Sequence, residues 1–420
     1  MNALRVIHRS VRKHEDTDGG RPTGSVLIVT PGGPEHGGGI GRQMGYFLRV
    51  NRVGQERLRY RVVDSRGPWY IGSSPLYYIV GAAFYLGRAI ITMLVARFSS
   101  PCVAHVNITG RGSTIRKILL LTIARALGLP YVLHLHDYNY ADYFRGRGVF
   151  LKKLIEKLFR GAAMVVVLGR RELEVISQLF RLRRDRITVL HNAVPDPLPD
   201  LKRVRCVRKP CHLLFLGYLS DRKGVPEFLR ALASASVSSR RWYATLAGGG
   251  PIDDFREFAD KLGILERLRF PGWLNEAGVK ALCADADVLV LPSKAEGMAM
   301  SVLEGLSHGL TVITTPVGAH LEVIESEVSG LFVTPGDVTA LADALVRVID
   351  DESLRRRLAK GARDRFVNEF DVRNYAARLR HLHASLLAFG RNELEAMEKG
   401  QYREAPNCSA SKQPADAFCS

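Results

Sequence analysis

Short apolar runs recur along the chain, and stretches with helical periodicity separate them. Helical patterns such as 115–127 and 151–159 lie between the runs of the first half. Continuous apolar runs are typical of strands buried on both faces, and their alternation with helices predicts a parallel sheet covered on both sides. The runs of the first half are 25–30, 60–63, 103–106, 131–135, 164–168 and 187–190.

A proline-rich segment divides this alternation into two halves. Residues 195–210 hold four prolines and a cluster of charges, which is typical of a linker. The chain therefore has the α/β pattern of two doubly wound, Rossmann-like domains, with a ligand-binding cleft where the carboxyl ends of their strands meet. The apolar runs of the second half are 212–216, 243–247, 269–270, 288–291 and 312–314.

The expected organisation follows from these patterns and from the polar ends of the chain. We predict a loose N-terminus over 1–23, a first domain over 24–195, a linker over 196–210, a second domain over 211–370, a helix over 371–390 and a disordered tail over 391–420.

Positive charge dominates the sequence and is concentrated in one region. The net charge is +18, and residues 145–209 carry 17 Lys or Arg against 6 Asp or Glu. Lys152, Lys153, Lys157 and Arg160 have helical spacing. This pattern predicts an anionic partner, either a membrane surface or a phosphorylated substrate, with solvated helix faces as the alternative. Nucleic acid is disfavoured, because no known binding module with interleaved aromatic residues is present.

The most apolar long stretch is 76–98, with Arg88 near its middle. An Arg at the centre of a bilayer would cost roughly 2.5–3.5 kcal/mol, so we expect a buried or half-buried core helix, with contact to a membrane interface as the alternative. The six cysteines form no C-x-x-C pair, and no signal peptide is recognisable at the start. A disulfide scaffold and a structural zinc site are therefore disfavoured, and a cytoplasmic location is expected.

The strongest local motif is 292–305, PSKAEGMAMSVLEG. It leads from an apolar run into a helix that we expect to begin near Met298–Ala299. Gly297 permits a close backbone approach, and the free N–H groups of a helix start bind phosphate. Glu296 before the helix and Glu304 two turns into it can accept hydrogen bonds from sugar hydroxyls. The alternative is that Glu296 is a cap and Glu304 a solvated side chain.

Two further motifs follow other predicted strands. Arg222 and Lys223 come after the run ending at Gly217, where cations can neutralise a pyrophosphate. Gly38 and Gly39 lie in a glycine-rich loop after the first run. This loop lacks the G-x-G-x-x-G frame, which disfavours a nicotinamide enzyme.

His134 and His136 stand in the segment LHLHD at the end of a predicted strand. Strand alternation places both on one face, with His136 at the carboxyl end and therefore in the cleft. We interpret His136 as a hydrogen-bonding partner of a substrate. The alternatives are a structural pair or a metal site, for which we find no third ligand.

Taken together and in this order, these motifs resemble the retaining glycosyltransferases of family four, which have the GT-B fold, and in particular those that build bacterial surface polysaccharides. The resemblance covers about 26–387. Its most specific part is the E-x7-E signature formed by Glu296 and Glu304. The segments that agree with it, in family order, are HLHD, VLHNAV, FLGYLSDRKG, LAGGGP, EGM…SVLEG and TVITTPVGAHLEVI.

The resemblance implies a role for each matched residue. Glu304 would bind the ribose of the nucleotide, Glu296 the hydroxyls of the donor sugar, and Lys223 the diphosphate. His136 would contact the sugar and stabilise the reacting centre, and the helix from Asp371 would cross back to the first domain. The backbone around the diphosphate and sugar would come from Gly38, Gly39, Gly297, Met298, Ala299 and Met300.

Two segments depart from the family pattern, and one of them is His105-Val106-Asn107, where the subgroup that makes surface polysaccharides often has HIH. Many members have an Arg directly after the glycine that ends the first strand of the second domain, and here Tyr218 stands there. Arg222 would then supply the second positive charge for the diphosphate.

The implied activity is the transfer of a hexose from a nucleotide diphosphate sugar to a saccharide or lipid-linked acceptor in polysaccharide biosynthesis. The anomeric configuration would be retained, and neither a metal nor a cofactor would be needed. The enzyme would be cytoplasmic and peripheral at the inner face of the membrane. Two alternatives remain at this point, a nucleotide-sugar epimerase on the same fold and a non-catalytic nucleotide-sugar-binding partner of a polysaccharide assembly complex.

Overall fold

The computed structural model describes residues 24–33, 38–51, 58–66, 75–197 and 210–398. The expected loose N-terminus, most of the linker 196–210 and positions 399–420 of the expected tail lie outside the described residues, as do positions 34–37 of the glycine-rich loop.

The first sheet consists of six parallel strands built from the apolar runs of the first half. The strands are β1 (Gly24–Thr30), β2 (Leu58–Asp64), β3 (Cys102–Ile108), β4 (Tyr131–Leu135), β5 (Met164–Val167) and β6 (Ile187–Val189). Their spatial order is β2-β1-β3-β4-β5-β6. Nearly every side chain of β1, β3 and β4 is buried, as expected for strands that helices cover on both faces. The helices around this sheet are α1 (Gly38–Asn51), α2 (Pro75–Ser99), α3 (Gly112–Ala126), α4 (Tyr140–Arg145), α5 (Val149–Gly161) and α6 (Arg170–Phe180).

The second sheet also has six parallel strands. They are β7 (Cys211–Leu216), β8 (Trp242–Ala247), β9 (Leu268–Gly272), β10 (Val288–Leu291), β11 (Thr311–Thr314) and β12 (Leu331–Phe332), in the spatial order β12-β11-β10-β7-β8-β9. The helices are α7 (Val225–Ala233), α8 (Ala235–Ser238), α9 (Ile252–Lys261), α10 (Glu276–Asp285), α11 (Met300–Ser307), α12 (His320–Val323), α13 (Val338–Asp350), α14 (Glu352–Arg365) and α15 (Val372–Glu398). The predicted α/β fold with two doubly wound parallel sheets is therefore confirmed.

The connections between the two sheets run side by side. The Val194 amide donates to the Phe370 carbonyl at 3.1 Å, and the Val372 amide donates to the Val194 carbonyl at 3.0 Å. Beyond this point α15 packs against α1 and β3 of the first sheet. The final helix thus returns to the first half of the molecule.

Three details differ from the sequence-based expectation. Helix α11 begins at Met300, because Ala299 has the extended conformation of a cap (φ −73°, ψ 123°). Helix α15 continues to Glu398, past the expected boundary at 390, because the segment NELEAME is rich in helix-forming residues. Strand β12 was not predicted, since it contains two residues only.

The apolar stretch 76–98 forms α2, which is half-buried as expected. Ala89, Met93 and Ala96 are buried against the first sheet. On its other side Phe84 is 65% exposed and Phe98 80% exposed. None of the helices in the described part of the chain has the length and apolarity required to cross a membrane.

Candidate functional site

The loop between β10 and α11 carries Glu296, whose side chain is buried. A turn of the neighbouring segment holds this loop in place, since the Ala319 amide donates to the Gly297 carbonyl at 2.8 Å. Gly318 has φ +54°, and a Cβ atom there would lie 2.1 Å from the Glu296 carbonyl oxygen. Only glycine lets the two segments approach this closely, so the backbone around Glu296 is fixed.

Glu296 contacts both cations that the sequence placed near a diphosphate. Lys223 Nζ lies 2.6 Å and Arg222 Nη1 3.1 Å from Glu296 Oε1. Arg222 also donates to the Ala295 carbonyl at 2.6 Å. Lys223 and Arg222 belong to a short turn after β7, at the carboxyl end of the second sheet. The structure therefore brings Glu296, Arg222 and Lys223 together.

Glu304 lies in the second turn of α11, and its partner comes from the other half of the molecule. Arg42 Nη1, on α1, donates to Glu304 Oε1 at 2.9 Å. Burial raises the pKa of the Glu304 carboxyl, and the Arg42 charge lowers it. The alternative interpretation of Glu304 as a solvated helix residue is wrong, because the side chain is buried and paired.

The starts of α1 and α11 face each other across the two halves. Gly38 begins α1 with φ +61°, and a Cβ atom on Gly39 would lie 3.9 Å from Met300 Cγ. Both helix starts present N–H groups that have no partner within their own helix. Two helix starts with their positive dipole ends therefore meet beside Glu296 and Glu304.

His136 follows β4 and binds the side chain of Asn107. The Asn107 amide nitrogen donates to the Val29 carbonyl at 3.2 Å, so its Oδ1 faces His136 Nε2 at 2.8 Å. His136 Nε2 must then carry the hydrogen, and Nδ1 carries the lone pair. Burial lowers the pKa of His136 to about 3, which keeps the ring neutral.

His134 lies on the same face of β4 as predicted, with its ring centroid 4.1 Å from that of His136. It is fully buried and pairs with another histidine, with His134 Nδ1 3.2 Å from His105 Nε2. His105 Nδ1 in turn lies 3.0 Å from His383 Nε2 on α15. Within the described ranges, no group of three or more His, Cys, Asp or Glu side chains could hold a metal ion. His134 packs inside the first domain, with its ring against those of His105 and His136.

A cavity of about 370 Å³ lies between the two halves, with Glu296 in its wall. The first half contributes Asp137, Tyr138 and Glu172 to its lining. Glu172 Oε2 accepts from the Leu168 amide at 3.1 Å, and burial raises the pKa of the Glu172 carboxyl to about 7. Glu296, a predicted site residue, and Glu172 of the first half therefore line the same cavity.

Comparison with known proteins finds relatives of the second half of the chain. Residues 203–365 match the family model of glycosyl transferases group 1. The glycogen synthase of Mycobacterium tuberculosis is 31% identical over 202 residues, which are 48% of this chain and 49% of that protein. Residues 203–365, most of which lie in the second domain, are therefore similar to the group 1 glycosyl transferases.

Two further comparisons extend over both halves. The 2-deoxystreptamine N-acetyl-D-glucosaminyltransferase of Streptomyces fradiae is 28% identical over 356 residues, covering 80% of each chain. The structure of HepE from Anabaena in complex with UDP and glucose aligns with a TM-score of 0.66 at 18% identity, over 86% of this chain and 99% of that one. The fold is therefore GT-B. The chain spans about half the length of the glycogen synthase that it matches.

The second domain also holds the remaining predicted site residues, and some of them have hydrogen-bond partners that the sequence did not suggest. The Met298 sulfur accepts a hydrogen bond from the backbone N–H of Asn192 at 3.1 Å. The backbone carbonyl of Met298 accepts a second one from Asn192 Nδ2 at 3.3 Å. The Ala299 amide donates to His320 Nε2 at 3.4 Å. Met298 therefore connects the second domain to the segment after β6, and the Ala299 amide is not free in this structure. Tyr218, which stands at the usual Arg position, is exposed.

Sequence reasoning missed Arg42 and Glu172. Arg42 lies one helical turn after the glycine-rich loop, and this position close to the loop could have marked it as a candidate site residue. Glu172 stands in an ordinary charged helix segment, GRRELEV, and nothing in that pattern distinguishes it from Glu174.

Proposed function

We propose that this chain is a retaining glycosyltransferase that transfers a hexose from a nucleotide diphosphate sugar to an acceptor hydroxyl. The observation that carries this proposal is the cluster of Glu296, Lys223 and Arg222 beside the start of α11, opposite Gly39 of the first domain. A carboxylate, two cations and two helix starts are what a sugar attached to a diphosphate requires.

The donor would lie across the cleft between the two domains. Its ribose would bind Glu304, its diphosphate would bind Lys223 and Arg222, and the hydroxyls of its sugar would bind Glu296. His136 Nδ1, as the unprotonated nitrogen of a neutral ring, would accept a hydrogen bond from a sugar hydroxyl. Because the HepE structure contains UDP, uracil is the first base to test.

The transfer would take place on one face of the sugar. The bond between the acceptor oxygen and the anomeric carbon forms as the bond from that carbon to the diphosphate oxygen breaks. The proton of the acceptor hydroxyl passes to the departing phosphate. Lys223 and Arg222 would stabilise the negative charge that develops there, without a metal ion, and such fixed electrostatic groups commonly supply much of the rate.

A thermal-shift panel of UDP, ADP and GDP sugars tests donor binding. A ligand at 100 times its Kd stabilises the protein by about 2.7 kcal/mol. The proposal predicts a shift with one base, followed by release of the nucleoside diphosphate and formation of an α- or β-linked product with the donor's own anomeric configuration. An epimerised donor would instead show a nucleotide-sugar epimerase.

Glu296→Gln separates catalysis from mere binding. The variant should lose turnover while it still binds the nucleoside diphosphate, and exposed Glu257→Gln on α9 should behave as the wild type. A chain that binds nucleotide sugars but turns over none, with any acceptor of a broad panel, would be a non-catalytic binding partner.

We further propose that the acceptor is a lipid-linked saccharide and that the first domain docks on an anionic membrane. Helices α2, α3 and α5 pack side by side on one face of the first sheet. Each exposes apolar side chains, including Phe84 on α2, Ile115 on α3 and Phe150 on α5, which is 77% exposed. Exposed Lys153 and Lys157 lie on the same helix as Phe150. Apolar side chains beside cations match the interface of a membrane with anionic lipids.

Vesicle binding tests this surface. Replacing Lys152, Lys153 and Lys157 by Gln should weaken binding to phosphatidylglycerol vesicles and leave the weak binding to phosphatidylcholine unchanged. The matched control is the triple Gln variant of exposed lysines in the second domain. Equal binding by both variants would exclude docking through α5. The control lysines are Lys261, Lys280 and Lys360.

A further inference from the structure

The salt bridge between Arg42 and Glu304 joins the two domains at the place proposed for the ribose. It connects a side chain of α1, about a third exposed, with a buried side chain of α11 at 2.9 Å. Arg42 is not part of the resemblance that led to the other site residues. Its contact nevertheless involves the carboxylate that the proposed function assigns to the ribose.

Glu304 needs a hydrogen-bond donor at all times. A buried carboxylate that loses its partner carries the full cost of its desolvation, and burial raises the pKa of Glu304 accordingly. Adjacent ribose hydroxyls can supply two donors in place of the guanidinium. Arg42 contacts Oε1 alone, so a ribose that uses both carboxylate oxygens would take its place there.

The geometry offers Arg42 a second partner nearby. A Cβ atom on Gly39 would lie 3.9 Å from Met300 Cγ where α1 and α11 begin. Arg42 follows Gly39 by three residues, about 4.5 Å along the helix axis. Glu304 follows Met300 by about 6 Å. A long arginine side chain spans such distances, so its guanidinium can reach both Glu304 and the meeting point of the two helix starts. The diphosphate is proposed to bind at this point.

A similar pairing of a carboxylate with cations lies within the second domain. Lys223 and Arg222, proposed for the diphosphate, contact Glu296, proposed for the sugar. Among these site residues, three cations thus contact two carboxylates.

We propose that Arg42 exchanges partners when the donor binds. The ribose hydroxyls replace it at Glu304, and its guanidinium moves to the diphosphate, so that the first domain contributes a cation to donor binding. This inference rests on the proposed function, since it assumes a nucleotide diphosphate in the cleft.

Calorimetric titration of the full chain with a nucleoside diphosphate and with the matching nucleoside tests the exchange. The nucleoside diphosphate used is whichever of UDP, ADP and GDP the wild type binds most tightly, and the nucleoside carries the same base. In Arg42→Gln we expect diphosphate binding to weaken by about tenfold, because a charge-assisted contact is lost. Binding of the nucleoside should become tighter, because no guanidinium has to be displaced from Glu304.

Arg49→Gln is the matched control. Arg49 lies two turns further along α1 and pairs with Glu276 of the second domain at 3.0 Å, with both side chains more than half exposed. This variant removes an interdomain ion pair outside the site, so both affinities should equal those of the wild type. Arg42→Lys keeps the charge and should retain most of the affinity for the diphosphate.

The outcomes separate the inference from the proposal beneath it. Opposite changes for nucleoside and nucleoside diphosphate support the exchange. Equal weakening of both ligands, or an unchanged diphosphate affinity, would overturn it and leave the glycosyltransferase proposal intact. A wild type that binds none of the three nucleoside diphosphates would refute the proposed function itself.

Discussion

Lys223 Nζ lies 2.6 Å from Glu296 Oε1, and both side chains are almost completely buried. The contact joins the cation proposed for the diphosphate to the acid proposed for the donor sugar. Because the protein holds both side chains in place, neither has to move far when a donor binds. This is the arrangement that electrostatic catalysis favours.

Lys223→Met should therefore affect the reaction more than the fold. We expect a loss of about a hundredfold in kcat, since one fixed donor to the developing charge is removed. Arg222 remains beside Glu296 and limits the cost to stability. Steady-state kinetics check this, with Lys261→Met as the control, because Lys261 pairs with Glu257 on the exposed face of α9. Equal kcat values in the two variants would contradict the role of Lys223.

Most strands could be predicted from the sequence because they consist of a continuous apolar run, a local signal that needs no knowledge of the rest of the chain. The exceptions include β2 (LRYRVVD) and β9 (LRFPG), which contain arginines. Two-residue β12 has no such signal. The motif around Glu296 was equally local, since strand, glycine and helix start follow one another within fourteen residues.

The partners of the site residues could not be predicted in the same way. Arg42 and Glu304 are 262 positions apart, and their contact depends on how the two domains face each other. The hydrogen bond from the Ala299 amide to His320 likewise arises from folding of the loop after β11. Residue types and local spacing indicate which groups can do chemistry, whereas their pairing is decided by tertiary structure.

Metal dependence provides a second prediction. If Lys223 and Arg222 neutralise the departing diphosphate, a chelator such as EDTA should leave the initial rate of transfer unchanged, and added Mg²⁺ should not raise it. A dialysed enzyme measured with and without both additions checks this. A rate that falls with EDTA and returns with Mg²⁺ would assign the neutralisation to a metal ion instead.

The buried histidines predict a loss of stability in mild acid. Burial lowers the pKa of His105 and His136 to about 3, and those of His134 and His383 well below the ordinary value of 6.5. The unfolded chain therefore binds more protons than the folded one between about pH 6.5 and 3. Stability is full above that window and falls inside it, by up to about 1.4 kcal/mol per pH unit for each histidine.

Thermal unfolding between pH 7.5 and 5 measures this slope. In His383→Gln the slope of stability against pH should be shallower by the contribution of one histidine. This expectation holds whatever the variant does to stability at neutral pH. His381→Gln, an exposed residue on the same helix α15, should leave the slope as it is. Identical slopes in all three proteins would contradict the burial of a neutral His383.

The buried carboxyl of Glu172 predicts the opposite dependence, a loss of stability as the pH rises. Burial raises the pKa of its carboxyl from 4.5 to about 7, so the unfolded state releases its proton first as the pH rises. Glu172 therefore lowers stability above about pH 4.5, and its effect is complete near pH 7. Glutamine has no proton to lose, and its side-chain oxygen can still accept from the Leu168 amide.

Glu172→Gln should accordingly stabilise the protein at pH 8 by about 1–3 kcal/mol and have little effect at pH 4. Denaturant unfolding at the two pH values measures the difference. Glu174→Gln is the control, because Glu174 lies on the same helix, is exposed and pairs with Arg184 at 3.0 Å. A gain for Glu172→Gln that is equal at both pH values would show that packing, and not the charge of a carboxylate in the cavity wall, is responsible.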